Sequence, residues 1–179
     1  IHHAFWKFFD KKHEKCVPGN KYEDVIRQYY KFVDEKIGEI LSLIDDDTVT
    51  ITTSDHGAKR MKGAFCVNEW LIQEGYLSLK SKPTNIIDLD KAEVDWQKTK
   101  AWGWGGYYAR IFLNVKGREE KGVIDQRDYE SERDELAERL KQIRDPKGRI
   151  METKVFKPEE LYSVSLGDKP DLMVYFDDL

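Results

Sequence analysis

The sequence predicts an α/β protein in which helices flank a central, mostly parallel sheet, with a smaller α+β region inserted. A long amphipathic segment is followed, after a short acidic turn, by a run of β-branched residues and then a polar cluster. A second apolar run near the end of the chain has the composition of a buried strand. Ligands in such folds gather at the carboxyl ends of strands, so the polar cluster is the first candidate for function.

The first half of the chain predicts one helix and one strand. Residues 21–44 repeat apolar side chains at three- and four-residue spacing, which is typical of an amphipathic helix. Residues 48–53 read Thr-Val-Thr-Ile-Thr-Thr, and because every position is β-branched they predict a strand.

The second half predicts shorter elements. They are helices at 67–74, 131–143 and 158–161, and strands at 98–102, 107–115, 154–156 and 172–176. Gly75 is a plausible residue to end the first of these helices. The glycine-rich stretch from Gly103 to Gly106 lacks the Gly-Lys-Ser/Thr ending of a phosphate loop, so it is interpreted as a tight structural connection.

Composition narrows the class of protein. The chain has 34 acidic and 30 basic residues and a net charge of -4, which gives no reason to expect a nucleic-acid polymer as partner. No apolar run approaches the roughly 20 residues of a membrane span. Cys16 and Cys66 are too few for a Cys₄ zinc site, and two reduced thiols are favoured over one disulfide. A cytoplasmic location is the default expectation.

Asp55 and His56 are the strongest candidate ligands. They follow the predicted strand directly and would offer a carboxylate oxygen and an imidazole nitrogen to one cation, a suitable mix for Zn²⁺ or Mn²⁺. Gly57 would let the backbone turn away and leave the site open. The alternative is that Asp55 caps the turn and His56 is merely exposed.

Other candidates are weaker. Adjacent residues point in different directions, so only one of His2 and His3 would reach a shared site. Lys59, Arg60 and Lys62 could attract an anionic substrate or form a solvated basic turn. Arg110 could bind phosphate or be a surface charge. The chain has no Gly-x-Ser-x-Gly sequence, and neither cysteine has an obvious activating histidine.

The string Thr53-Ser54-Asp55-His56-Gly57 resembles the Asp-His-Gly signature of the alkaline phosphatase superfamily, which includes type I phosphodiesterases and nucleotide pyrophosphatases. The resemblance extends to a branch of predicted phosphohydrolases and phosphomutases and covers most of the chain. The further segments that carry it are 62–71, 74–77, 98–103, 108–114, 117–119 and 170–174.

The resemblance implies an alkaline phosphatase-like fold and a two-metal mechanism. Two divalent ions, with Zn²⁺ or Mn²⁺ expected, would hold the substrate phosphate while a Thr or Ser attacks phosphorus. Asp55 and His56 match the pair that, with the nucleophile and an early Asp, holds one ion. His3 matches a ligand of the other ion. Residues 1–75 would then belong to the metal-binding core, 76–165 to a cap or insert, and 166–179 to a returning core strand.

Departures from the pattern lead to a further expectation. The nucleophile, the early Asp and the Asp partner of His3 would precede Ile1, and a late histidine would follow Leu179. We therefore expect a fragment that is inactive alone and binds metal weakly or not at all. The expected function of the parent is hydrolysis of a small-molecule phosphate ester. A phosphomutase or phosphotransferase, or a non-catalytic binding module, are the alternatives.

Overall fold

The computed structural model describes residues 1–61 and 63–177. These form two compact units, Ile1–Lys62 and Gly63–Leu179. Unit 1 is helical, whereas unit 2 contains a sheet, so the chain as a whole is of mixed α/β composition.

Unit 1 contains two helices, α1 (His2–Phe9) and α2 (Val25–Leu41). Helix α2 confirms the helix predicted at 21–44, although it is shorter at both ends. Two phenylalanines of α1 contact Tyr22, with ring centroids 5.7 Å from Phe5 and 5.1 Å from Phe8. Much of the apolar stripe of α2, including Ile37 and Ile40, is nevertheless exposed.

The strand predicted at 48–53 is wrong for this structure. No described residue pairs with this segment, and Val49 and Ile51 are 82% and 78% exposed. The β-branched composition favours a strand but does not by itself form one. A strand also needs a neighbour, however, because β-propensity mainly reflects packing against adjacent strands. The described part of the chain provides none here.

Unit 2 contains a four-stranded sheet in the order β1-β2-β4-β3, with every neighbouring pair antiparallel. The strands are β1 (Ala101–Trp104), β2 (Ala109–Leu113), β3 (Lys154–Phe156) and β4 (Leu172–Tyr175). The helices are α3 (Val67–Gln73), α4 (Tyr129–Lys141) and the short α5 (Pro158–Leu161).

The elements of unit 2 confirm the predictions in type, but the sheet differs from the expected one. The mostly parallel sheet is not found among the described residues. Strand β4, predicted at 172–176, lies between β2 and β3 and runs antiparallel to both. A short glycine-containing connection joins β1 to β2, and a connection of that length can only link antiparallel neighbours.

Helices α3 and α4 bury one face of the sheet. Ile111 of β2 and Leu172 of β4 are almost fully buried in a core with Leu71 of α3 and Leu136 and Leu140 of α4. This burial is the main stabilising contribution to unit 2, at roughly 25 cal/mol for each Å² of apolar surface removed from water. Gly75 follows Glu74, the C-cap residue of α3, and adopts a positive φ of 80°, which confirms it as the residue that ends this helix.

Strand β1 is held to α3 by one side chain. The carboxamide of Asn68 accepts a hydrogen bond from the Gly103 N–H (2.8 Å) and donates one to the Gly103 carbonyl oxygen (2.9 Å). A Cβ on Gly103 would lie 2.7 Å from the Val67 Cγ1 atom. Only glycine allows this close approach. Gly103 was predicted to lie in the connection between two strands, but it lies within β1, where it allows close packing against α3.

Candidate metal centre

Asp55 and His56 lie in a segment of unit 1 that has no regular secondary structure. Their side chains are 86% and 67% exposed. Because the preceding residues do not form a sheet strand here, the pair is presented by a surface segment and not by the end of a buried strand.

Local hydrogen bonds fix the mutual geometry of the pair. The His56 N–H donates to Asp55 Oδ1 at 3.0 Å, and the Ser54 hydroxyl donates to the His56 carbonyl oxygen at 2.7 Å. The imidazole Nδ1 lies 2.7 Å from the Gly57 carbonyl oxygen, and Nε2 lies 3.4 Å from Asp55 Oδ2. Four consecutive residues therefore suffice to bring a carboxylate oxygen and an imidazole nitrogen together.

The contact to Gly57 determines the histidine tautomer. A carbonyl oxygen only accepts hydrogen bonds, so in the neutral imidazole Nδ1 carries the proton and Nε2 the lone pair. Metal-binding histidines commonly donate their other ring N–H to a carbonyl in this way. Tetrahedral bonds of about 2.0–2.1 Å place two ligand atoms roughly 3.3 Å apart. The 3.4 Å separation of His56 Nε2 and Asp55 Oδ2 therefore fits two neighbouring ligands of one ion.

The pair supplies only two of the ligands that a metal site needs. Among residues 1–61 and 63–177, no group of three or more His, Cys, Asp or Glu side chains is placed to hold a metal ion. Two ligands bind a divalent ion weakly, since protein sites for such ions generally supply three or four.

The two histidines at the start of α1 behave differently. His2 Nε2 lies 2.9 Å from the Tyr30 hydroxyl and the ring contacts Trp6, so His2 helps to join α1 to α2. His3 is exposed on the same helix. The expectation that only one of the two histidines reaches a shared site, and the assignment of His3 to a second ion, both stay predictions.

The basic residues after the Asp-His pair have mixed roles. Arg60 lies 3.7 Å from Asp10 and is mostly shielded from solvent, which makes it part of the packing of unit 1. The backbone N–H of Lys12 and the nearby Arg60 guanidinium lower the pKa of Asp10 against the opposing effect of desolvation. Lys62 lies outside the described residues.

Unit 2 contains a buried ionic network that residue spacing did not predict. Asp171 is 2% exposed, and both of its carboxylate oxygens accept hydrogen bonds from the Arg118 guanidinium, at 2.8 and 2.7 Å. The Tyr129 hydroxyl and the Leu113 N–H each donate to the same carboxylate at 2.6 Å. Arg118 and Asp171 are far apart in sequence, and the only signal for them was their presence in segments of the family resemblance.

Tyr129 extends this network to a second arginine. Arg133 is buried, donates to the Tyr129 hydroxyl at 3.0 Å and pairs with Glu159. Burial, together with the hydrogen bond to Asp171, raises the pKa of Tyr129. Desolvation alone would raise the pKa of Glu159, but hydrogen bonds from Arg133 and Lys169 outweigh it and lower this pKa to about 2. The network joins Asp171, directly before β4, to α4 and α5. Apart from the buried Arg133 Nε atom, which has no hydrogen-bond partner among the described residues, its members are paired with one another, and this indicates a structural role.

Unit 2 also has an open cleft of about 540 Å³. Trp70 and Ile143 form apolar walls, and Glu74 pairs with Arg139 at its edge. Its lining contains no histidine or cysteine and none of the predicted ligands.

The fold and the site together define a mixed α/β protein that carries an adjacent carboxylate–imidazole pair in an Asp-His-Gly sequence. A protein-family model described as type I phosphodiesterase / nucleotide pyrophosphatase matches residues 1–178. Because the match covers nearly the whole chain, the protein belongs to this family. Neither the comparison with curated proteins nor that with solved structures found a match.

This membership confirms the resemblance to the alkaline phosphatase superfamily. The family to which the chain belongs is one of phosphoric ester hydrolases. The family acts on small phosphate-ester substrates and generally uses divalent metal ions. Cys16 and Cys66 are both free thiols. Across the described residues, no helix combines the length and the apolar character needed to cross a bilayer.

Proposed function

We propose that this chain contributes to a metal-dependent phosphoric ester hydrolase in which Asp55 and His56 hold one of two divalent ions. The observation that supports this is the 3.4 Å separation of Asp55 Oδ2 and His56 Nε2, with Nδ1 directed to the Gly57 carbonyl oxygen. A hard oxygen and an imidazole nitrogen at this spacing suit Zn²⁺ or Mn²⁺.

Each residue has a distinct part in the proposal. A bound ion supplies positive charge that polarises the phosphoryl group. The Gly57 carbonyl orients the imidazole, and the His56 N–H orients the carboxylate of Asp55. We assign His3 to the second ion. A Thr or Ser nucleophile and the remaining ligands are assigned to residues outside this chain.

Two further assignments belong to this proposal. Residues 76–165 form the cap or insert and 166–179 return to the metal-binding core. A cytoplasmic location is consistent with the two free thiols, since reducing compartments keep cysteines reduced.

The test compares Asp55→Ala and His56→Ala with Asp88→Ala, in the protein that carries this chain. Asp88 is a matched control because its carboxylate is also exposed and pairs with the nearby Lys91. Metal content would be measured by elemental analysis after dialysis against Zn²⁺ or Mn²⁺. Hydrolysis of a chromogenic phosphodiester and of the matching monoester would be measured in parallel.

Both site variants should bind metal at least about tenfold more weakly, because even residues that only support ligands contribute that much. Hydrolysis should fall with metal content, while Asp88→Ala should retain both. Unchanged metal content and activity in both site variants would show that the pair is structural. The relative rates on the two esters would define the type of hydrolase.

A further inference from the structure

The sheet of unit 2 has a second face, opposite to the one that α3 and α4 cover. Alternation along the strands and the pairing register place a set of eight side chains there. This open face consists of Trp102, Trp104, Arg110, Phe112, Lys154, Phe156, Met173 and Tyr175. Tyr108, just before β2, joins it by stacking on Tyr175 with ring centroids 5.2 Å apart.

Aromatic side chains on the open face remain accessible to solvent. Trp104, Tyr175 and Tyr108 are 46%, 37% and 36% exposed. Trp102 stacks on Phe112 across the strands at 5.5 Å, which holds these rings in ordered positions. Met173, on the same face, is buried, so the exposed rings of Trp104, Tyr108 and Tyr175 are the accessible part of it. Exposed apolar groups clustered on one face of a sheet often mark an interaction site.

The charges on the open face are of one sign. Arg110 and Lys154 are its two ionisable cations, and none of the four strands contains an acidic residue. In the described part of the chain, the side chains of Arg110 and Lys154 form no ion pair or hydrogen bond, whereas arginines such as Arg118 and Arg149 pair with carboxylates. The open face is therefore locally basic in a chain of net charge -4.

We propose that this open face binds single-stranded nucleic acid. Exposed aromatic rings stack on unpaired bases without regard to sequence, and cations beside them contact the phosphates. Trp104 and the Tyr108–Tyr175 pair supply the rings, while Arg110 and Lys154 supply the charges. A duplex is excluded as the preferred ligand because its bases are already stacked and paired.

The spacing of the cations favours an oligonucleotide over a single nucleotide. Arg110 lies on β2 and Lys154 on β3, with β4 between them. Two strand spacings separate their backbones by at least about 9–10 Å. Two phosphates of one strand match that separation better than one phosphate does. The acidic composition gave no sign of such a partner, because net charge does not report how charges are distributed.

The proposal is tested by fluorescence anisotropy. The ligand is a short labelled oligonucleotide, used as a single strand and also annealed to its complement. The full chain is used at low ionic strength with a chelator, which makes the result independent of the metal site. The variants are Arg110→Ala, Tyr175→Ala and Tyr175→Phe. Arg127→Ala is the matched control, since it removes one exposed positive charge from the turn before α4. Circular dichroism confirms that each variant is folded.

The expected result is binding of the single strand in preference to the duplex. Tyr175→Ala should weaken binding about tenfold, whereas Tyr175→Phe retains the ring and should bind nearly as the wild type. Arg110→Ala should reduce the slope of log affinity against log salt by about 0.7. Arg127→Ala should leave binding unchanged.

Three results would overturn the proposal. Equal losses in Arg110→Ala and Arg127→Ala would show only general electrostatic attraction. Absence of binding at low salt, or equal binding of duplex, would exclude the stacking surface. A dimer in solution that Tyr175→Ala dissociates would show that the open face is a protein interface instead.

Discussion

At the scale of single residues, the ionic network of unit 2 shows how charge is accommodated in a small core. Asp171 is buried and its carboxylate accepts four hydrogen bonds, which compensate for the loss of contact with water. The paired Arg118 guanidinium correspondingly has a raised pKa, with the hydrogen bond to Asp171 as the main cause. Glu159, the partner of Arg133, is about half exposed and is the network carboxylate that solvent reaches.

Lowering the pH should reduce the stability of unit 2, because Glu159 becomes protonated and loses its ionic contacts. Its pKa is about 2 in the folded protein, below the ordinary 4.5, so the folded state binds the proton less readily than the unfolded state. The stabilisation is therefore fully present above pH 4.5 and is lost progressively as the pH falls toward about 2. Melting temperatures across this range should fall less in Glu159→Gln than in the wild type. Parallel profiles for the two proteins would contradict this prediction.

The residues of the candidate metal centre were predictable to a limited extent. Asp55 and His56 are adjacent in sequence, so residue types and the family signature are enough to predict that they act together. Arg118 contacts Asp171 because β2 and β4 are neighbours in the sheet. No local sequence pattern predicts which strands become neighbours. The ionic network could therefore be identified only from the structure.

At the scale of elements, local patterns predicted helices better than sheet partners. The apolar spacing that defines α2 and α4 lies within each segment, and both helices form. The direction and neighbours of β4 depend on residues far along the chain, so its apolar composition predicted a buried strand but not an antiparallel one. The segment 48–53 shows the same limit, since its composition could not supply a partner strand.

Replacing Gly103 should disturb the contact between α3 and β1. A Cβ would approach Val67 Cγ1 to 2.7 Å, and Val67 is a stiff, buried side chain that cannot move aside easily. We expect Gly103→Ala to lower the free energy of unfolding by about 1–3 kcal/mol. Gly105 is the control, since a Cβ added there would meet no described atom within 4 Å, and Gly105→Ala should change stability by at most about 0.5 kcal/mol. Equal effects in urea unfolding would contradict the packing argument.

At the scale of the whole molecule, the two units differ in how much apolar surface they bury. Among the described residues, nearly all of the buried apolar side chains belong to unit 2, and Ile26 is the one from unit 1. Regions with few buried contacts open at low free energy. The units should therefore differ in local stability, independent of any ligand.

Hydrogen exchange should show this difference directly. Amides of Ile111 and Leu113 in β2 should exchange slowly, with protection that approaches the global free energy of unfolding. Amides of Val49 and Ile51 should exchange close to the rate of an unfolded chain, because no described residue pairs with them. Amide exchange resolved by NMR or mass spectrometry would measure both. Comparable protection at 49–51 would mean that this segment forms a strand in solution.

The contact between Asn68 and Gly103 also affects how readily the protein aggregates through its sheet edge. Strand β1 is the outermost strand of its sheet, and such strands invite pairing with another chain and hence aggregation. The Asn68 carboxamide occupies both backbone groups of Gly103, and the Tyr76 carbonyl accepts the Ala101 N–H at 3.1 Å. The side of β1 that faces away from β2 is thus closed to incoming strands at these two positions. The Asn68 side chain and the Tyr76 carbonyl thereby take the place of a neighbouring strand and hinder intermolecular growth at this edge of the sheet.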